Sequence, residues 1–447
     1  MKLALLSFYN LGRQPKIIAE LYKKLNTESV VIDVFDYSIK EYELLLENYD
    51  AIGIFASMHT ASVLATEFLN GKSLPNKVFT FGLYGKILSD SDTRITYIDD
   101  LDGPNLEIYL EVDTNNNFTL KNSIPDRSSV PEISNYAQLV IGDTKLLTGS
   151  VETTYGCRHS CTHCPVPIQF NGRFKTFSEE KIINDVSNQI QSGAQHISFD
   201  DPDFFNGPKY SLKVLEKLCN KFPSVTYDAT IKVEHIIKYK KYFKELENSN
   251  ILFVTSAFET TNDNVLRILD KRHTYNDLFK SISIAKEHSI DIRPTWMPFT
   301  PWTDPVDLVN IVSLIEDYEL RETVDPIQLT IKLLVPKGSL MLKSQEFKKY
   351  MGKYDKDSFT YSWHYERRNV EYLQTLLFNY VAENEEVDSK KQYLELINII
   401  QSFTKTNIIY NKTYKYREVP KLSETWFCCA EPNKIQLQRI KSNTALI

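Results

Sequence analysis

Strand-like and helix-like stretches alternate along most of this chain, and that alternation limits its fold more than any other feature. Residues 2–8, 29–36, 51–57 and 77–85 read as strands. Residues 15–26, 39–49 and 61–71 read as the helices between them. Such a pitch implies a parallel sheet covered on both faces. From about residue 147 the alternation resumes. Strands are predicted at 148–154, 195–200, 225–231, 251–257, 290–296 and 326–334, with helices at 178–192, 210–220, 234–248, 262–269, 276–288 and 305–317. Six strand–helix units fall short of the eight that close a barrel. The fold class is therefore α/β: a doubly wound N-terminal domain, a partial (β/α)6 barrel and a C-terminal α+β extension that covers the open side. The expected domains are 1–145, 146–344 and 345–447.

The 447 residues are too many for one ordinary core. A net charge of −6 gives no nucleic-acid footprint, and "KYKKYFKE" at 238–245 reads as a solvated helix face. No apolar run approaches the ~18 residues of a membrane span. The opening "MKLALLSFYN" fits a buried strand better than a secretory signal. A cytoplasmic chain is expected. There, six cysteines point to metal binding or reactivity rather than to a disulfide framework.

Three of the six form C-x3-C-x2-C in "TTYGCRHSCTHCPVPIQF": Cys157, Cys161 and Cys164. Thiolates suit zinc and iron–sulfur clusters. A structural zinc site closes with four protein ligands, and His159 or His163 would complete a Cys3His set. Three cysteines alone match a [4Fe–4S] cluster with one iron left open. The loop follows the first strand of the second alternating region, at the end of a barrel strand where chemistry is found.

This spacing, after the first strand of a partial barrel, resembles the radical S-adenosylmethionine (SAM) superfamily. The resemblance implies a [4Fe–4S] cluster on Cys157, Cys161 and Cys164 and SAM chelated to the open iron. It also implies an electron donor such as flavodoxin or ferredoxin and a small-molecule substrate. His163 stands where the superfamily often has an aromatic residue near the adenine. Asp201 and Asp203 in "HISFDDPDFFNGP" stand where a Gly-Gly-Glu-like segment receives the SAM amino group; the alternative is a turn. Lys232 and Glu234 in "TIKVEHI" either contact SAM or pair with each other. "FVTSAFETTNDNVLRILDKRHT" resembles a segment that brings Ser256 and Glu259 near SAM, unless Glu259 only caps the next helix. Trp296 in "RPTWMPFTPWT" either walls the adenine or belongs to the core. Lys332 is expected to face the cavity.

The domain order resembles cobalamin-dependent members, but D-x-H-x-x-G is absent and "NLGRQP" fills the first loop without a histidine. Cobalamin is left open and not favoured. The alternatives are a domain that covers the barrel mouth, or a pocket of Arg13, Gln14, His59 and Tyr84. Near the C-terminus, "WFCCAEP" sets Cys428 beside Cys429. With the other motifs it resembles the radical SAM group named for a CUAEP or CCAEP tail. That resemblance implies a catalytic pair presenting or processing a soft substrate atom. By analogy with a neighbouring paired-cysteine enzyme, the reaction would be 3-amino-3-carboxypropyl transfer to arsenic. The bland reading of the pair is two small buried side chains. The rivals are a cobalamin-assisted methyltransferase and a non-catalytic iron–sulfur or zinc sensor.

Overall fold

The computed structural model describes residues 1–114, 118–384, 386–409 and 416–424. Five parallel strands form the first sheet: β1 (Lys2–Ser7), β2 (Val31–Asp36), β3 (Ala51–Phe55), β4 (Lys77–Phe81) and β5 (Thr96–Tyr97), in the order β2-β1-β3-β4-β5. Leu3 to Leu6 are fully buried because both faces of β1 are covered. Leu3 and Leu5 pack with Ile18 of the helix after β1, while Ala4 and Leu6 pack with Ala61 and Leu64 of the helix after β3. The helix expected over 39–49 is instead irregular chain ending in one turn, Leu46–Asn48. There Tyr42 packs edge-on against Phe35 and Tyr37, and Tyr49 donates to Asp33 at 2.8 Å, holding the segment along the sheet edge.

The second sheet has seven strands. Its members are β6 (Gln138–Ile141), β7 (Thr144–Val151), β10 (His196–Phe199), β11 (Thr226–Thr230), β12 (Ile251–Glu259), β13 (Asp291–Trp296) and β16 (Lys421–Leu422), in the order β13-β12-β11-β10-β7-β6-β16. Between them in sequence lies a small ribbon, β8 (Thr154–Gly156) with β9 (Phe174–Thr176); a hairpin of β14 (Met351–Asp355) and β15 (Thr360–Trp363) precedes β16. β7 and β10 to β13 run parallel, whereas β6 and β16 add antiparallel at one edge.

The sixth barrel strand expected at 326–334 is not a strand. Pro326–Thr330 coils into a tight turn, and only a bridge between Phe299 and Lys332 continues the sheet. The Gln328 side chain accepts from the Trp296 amide at 3.1 Å, so a side chain takes the place of a neighbouring backbone. Among the described residues no helix is long and apolar enough to cross a membrane.

Arg127 joins the parts. Its guanidinium grips Asp185 through two bonds of 2.6 and 2.8 Å and also donates to the Ser150 carbonyl and to Gln14. Both members of the pair are buried, and breaking such a pair strands a charge. Arg127→Met is therefore expected to cost about 3–5 kcal/mol, read by urea denaturation. A loss under about 1 kcal/mol, the scale of an exposed pair, would contradict this.

Candidate active site

The carboxyl ends of the parallel strands open into one cavity of about 440 Å³, within the ~300–1,000 Å³ range of small-molecule sites. Strand alternation selects its wall. On β12, Phe253, Thr255, Ala257 and Glu259 face the cavity. Asp228, Thr230 and then Lys232 do so on and after β11, while Arg293 and Thr295 face it from β13. The N-terminal domain supplies Asn10, Leu11, Arg13 and Gln14 from the loop after β1. Leu422 and Glu424, at the end of the described chain, also line it.

Cys157, Cys161 and Cys164 all line this cavity. Their loop is pinned from outside: the Thr162 amide and hydroxyl donate to the Leu269 and Ile268 carbonyls at 3.0 and 2.9 Å, and Ser160 donates to Asp270 at 2.8 Å. Burial pushes the Cys157 thiol up to about 12. A metal ion that binds the thiolate would offset that penalty. The other described cysteine, Cys219, lies on the helix Pro208–Lys221 and bonds the Ser249 carbonyl. It is not a cavity residue. The donor set is therefore three thiols on one wall, which fits a [4Fe–4S] cluster held by three protein ligands.

Both histidines of the loop turn to carboxylates rather than completing a Cys3His set. His163 Nε2 lies 3.3 Å from Glu259, and Glu259 bonds Lys271 at 2.8 Å, all three residues buried. Burial works against ionised Glu259, but Lys271 and His163 outweigh it and hold the carboxyl well below its ordinary range. Glu259 is not the helix cap, because Asn262 accepts from the Asn264 and Val265 amides instead. His159 Nε2 lies 3.5 Å from Asp203, which His235 also approaches at 2.7 Å, while Lys232 donates to His159 Nδ1 at 3.2 Å. Lys232 and Glu234 are 3.4 Å apart, so the two do pair; Lys232 lines the cavity, and Glu234 lies beside it.

The two aspartates after β10 differ in their duties. Asp201 accepts from the amides and hydroxyls of Thr153 and Thr154 at 2.6–2.8 Å, stitching the end of β7 to β10. Burial pushes it up to about 7 against the pull of those bonds. Asp203 accepts from the Phe205 amide at 3.0 Å and holds the histidine pair. Their neighbour Asp200, which the motif reading passed over, pairs with Arg13 at 2.7 Å across the two domains.

Three of the residues expected near SAM or the cavity lie off the cavity. Ser256 is fully buried on the opposite face of β12 from the cavity. Trp296 is also fully buried, stacked edge-on against Phe258 at 5.4 Å, so it is core and not a cavity wall. Lys332 is exposed and lies off the cavity. The pocket of Arg13, Gln14, His59 and Tyr84 also splits: the first two line the cavity, and the last two pack beneath the β14–β15 hairpin. Lys271 and Arg293 were missed. Cys428 and Cys429 lie outside the described residues.

A family model described as the radical SAM superfamily matches residues 151–311. The ribosomal protein uS12 methylthiotransferase RimO of Pseudothermotoga lettingae is 23% identical over 175 residues, covering 37% of this chain and 40% of that protein. This chain thus spans about two fifths of that relative's length. Among solved structures, the cobalamin-dependent SAM radical enzyme OxsB with aqua-cobalamin bound aligns at a TM-score of 0.59 and 11% identity, over 90% of this chain and 71% of that one. TsrM from Kitasatospora setae, a radical SAM methyltransferase with cobalamin and a [4Fe–4S] cluster bound, aligns at 0.51 and 12% identity, over 71% and 73%. At such identity the likeness is one of fold. The superfamily match contains the whole cysteine loop and strands β10 to β13 that carry the cavity, so residues 151–311 form a radical SAM domain, of the kind that works with a [4Fe–4S] cluster and SAM.

Proposed function

We propose that this enzyme reductively cleaves SAM to modify a small molecule, and that the Cys428–Cys429 pair presents or processes a soft atom of that substrate. One observation carries the reading. Glu424 lines the same cavity as the three cluster cysteines, and Cys428 follows it by four residues. Four extended residues reach at most about 14 Å, enough to return a side chain to that cavity. A soft, trivalent centre such as arsenic suits paired thiols, and transfer of the 3-amino-3-carboxypropyl part of SAM to it is the specific reaction proposed.

When bound, the cluster supplies one electron to SAM, and an external reductant such as flavodoxin or ferredoxin replenishes it. The residues of this chain do the rest. The SAM amino group needs a carboxylate and the SAM carboxylate needs a cation. Glu259 with Lys271, and Asp203 with Lys232, offer both signs at the cavity wall. His163, locked against Glu259, fixes that carboxylate's orientation. The loop after β1 closes the mouth through Arg13 and Asp200 and so limits water.

Anaerobic incubation with SAM and a low-potential reductant tests the reading. Methylthioadenosine is expected if the aminocarboxypropyl group is transferred, whereas 5′-deoxyadenosine marks adenosyl radical chemistry. Absence of both products would sink the proposal, and 5′-deoxyadenosine without methylthioadenosine would sink the aminocarboxypropyl transfer. Cys428→Ser and Cys429→Ser are each expected to reduce substrate turnover to background while iron content and SAM binding stay at wild-type levels. Unchanged turnover in both would make the pair packing residues. Cobalamin-assisted methyl transfer is the second reading, favoured only by the likeness of fold to OxsB and TsrM.

A further inference from the structure

We infer that His159, Asp203 and His235 form a mononuclear site for a divalent transition-metal ion, set in the wall of the reaction cavity and separate from the three cysteines. His159 Nε2, Asp203 Oδ2 and His235 Nδ1 all lie within 4.8 Å of one another. They come from three places in the chain: the cysteine loop, the turn after β10 and the helix Val233–Lys238. All three side chains are buried, yet none of these atoms makes a hydrogen bond among the described residues. Buried polar atoms left in that state are rare and call for a reason. The distances supply one. His235 Nδ1 is 2.7 Å from Asp203 Oδ2, close enough for a strong bond, so only misalignment prevents it. The oxygen lies off the direction in which the ring nitrogen presents its lone pair or proton. Two ligands of one ion stand in that relation, because each lone pair aims at the ion and not at the other ligand. Donors about 2.1 Å from a common ion sit about 3 Å apart. The two carboxylate–imidazole separations, 2.7 and 3.5 Å, bracket that spacing.

The surroundings suit an ion as well. Asp203 Oδ1 accepts from the Phe205 amide at 3.0 Å, which fixes the carboxylate and leaves Oδ2 turned to the histidines. A metal-bound imidazole carries its proton on the other nitrogen and gives it to a carboxylate. For His159 that nitrogen is Nδ1, and Glu234 lies 3.7 Å from it. Lys232 donates to the same nitrogen at 3.2 Å and lies 3.4 Å from Glu234. An ion on Nε2 moves the ring proton to Nδ1, so Lys232 gives up that bond; Glu234 then accepts from His159 and keeps Lys232. Two imidazoles and one carboxylate favour a first-row ion such as zinc or ferrous iron over magnesium or calcium. His159 and Asp203 line the cavity, so the remaining coordination positions open where the substrate lies and fit an oxygen donor of that substrate. With both oxygens of Asp203 engaged, Glu259 and Lys271 are the pair left for the amino-acid end of SAM.

The test does not depend on which substrate or SAM fragment is found. The full chain, its cluster reconstituted, is freed of loose metal on a chelating resin, equilibrated anaerobically with Co2+ as the probe, and analysed for iron and cobalt. About one cobalt is expected beside about four irons. His235→Phe keeps the ring packing against Tyr239 but offers no donor. It is expected to hold less than about a tenth of the wild-type cobalt with its iron unchanged. Glu234→Ala is expected to weaken Co2+ binding by about 10–100-fold. Zinc bound at this site would accompany the cluster iron and vanish in His235→Phe, which separates it from zinc on the cysteines. Background cobalt in the wild type would overturn the inference, and so would equal cobalt in His235→Phe. Should that variant lose its iron too, Glu234→Ala decides, and an unaltered affinity for Co2+ there overturns the site.

Discussion

Cys161→Ala is expected to yield a folded protein that has lost its cluster and whose SAM cleavage falls to background. The thiolate is the ligand, and alanine offers no donor. Anaerobic reconstitution should give about four irons per wild-type chain and little in the variant. Folding should survive, because the loop is anchored by bonds that do not involve the thiols. Thr162 holds Leu269 and Ile268, the Met341 amide and the Ser339 hydroxyl both hold the Thr162 carbonyl, and Ser160 holds Asp270. Matching far-ultraviolet circular dichroism would separate loss of metal from loss of structure. Cys219→Ala is the control, since its thiol bonds Ser249 away from the cavity, and it should keep full iron. Wild-type iron in Cys161→Ala, or one zinc per chain in the parent, would refute the ligand set.

The parallel sheets were legible because each buried strand is a short apolar run between helices of the right length. Cys157, Cys161 and Cys164 were legible because ligand spacing survives in sequence. Other features depend on what sequence distance conceals. β12 shows how a site residue is misassigned by one position. Large apolar Val254 and Phe258 flank Ser256 at alternate places, so Ser256 shares their helix-facing side, and Thr255 and Ala257 face the cavity. That phase could have been read from the strand itself. Lys271 could not, since its partner Glu259 lies twelve residues back across an intervening helix. The missing sixth strand was hidden for another reason: 326–334 is apolar enough for a strand, but the Gln328 side chain satisfies the edge of β13 in its place. The packing of the hairpin against the N-terminal sheet was the least legible, because nothing local in "DKDSFT" announces a contact with His59.

Lys271→Met should be among the most damaging changes that leave the cysteines alone, and its cost should depend on pH in a direction fixed by the site. Glu259 and Lys271 are buried at 2.8 Å, and removing one partner of such a pair costs about 3–5 kcal/mol. In the wild type Lys271 and His163 overcome burial and depress the Glu259 pKa. The ionised carboxylate then stabilises the fold above the ordinary carboxylate pKa of about 4.3, and that contribution is lost as pH falls below it. Without Lys271, burial dominates and the Glu259 pKa rises above its unfolded value. Its sign reverses: the protonated form is favoured in the fold, and stability is lost as pH rises through the raised pKa. The gap between wild type and Lys271→Met should therefore be larger at neutral pH than near pH 5. Urea denaturation at the two pH values measures it. The double variant Glu259→Gln/Lys271→Met should recover most of the loss, because a neutral amide can still accept from His163 and no charge is stranded. A pH-independent gap, or a double variant as unstable as the single one, would show that Lys271 contributes packing rather than charge.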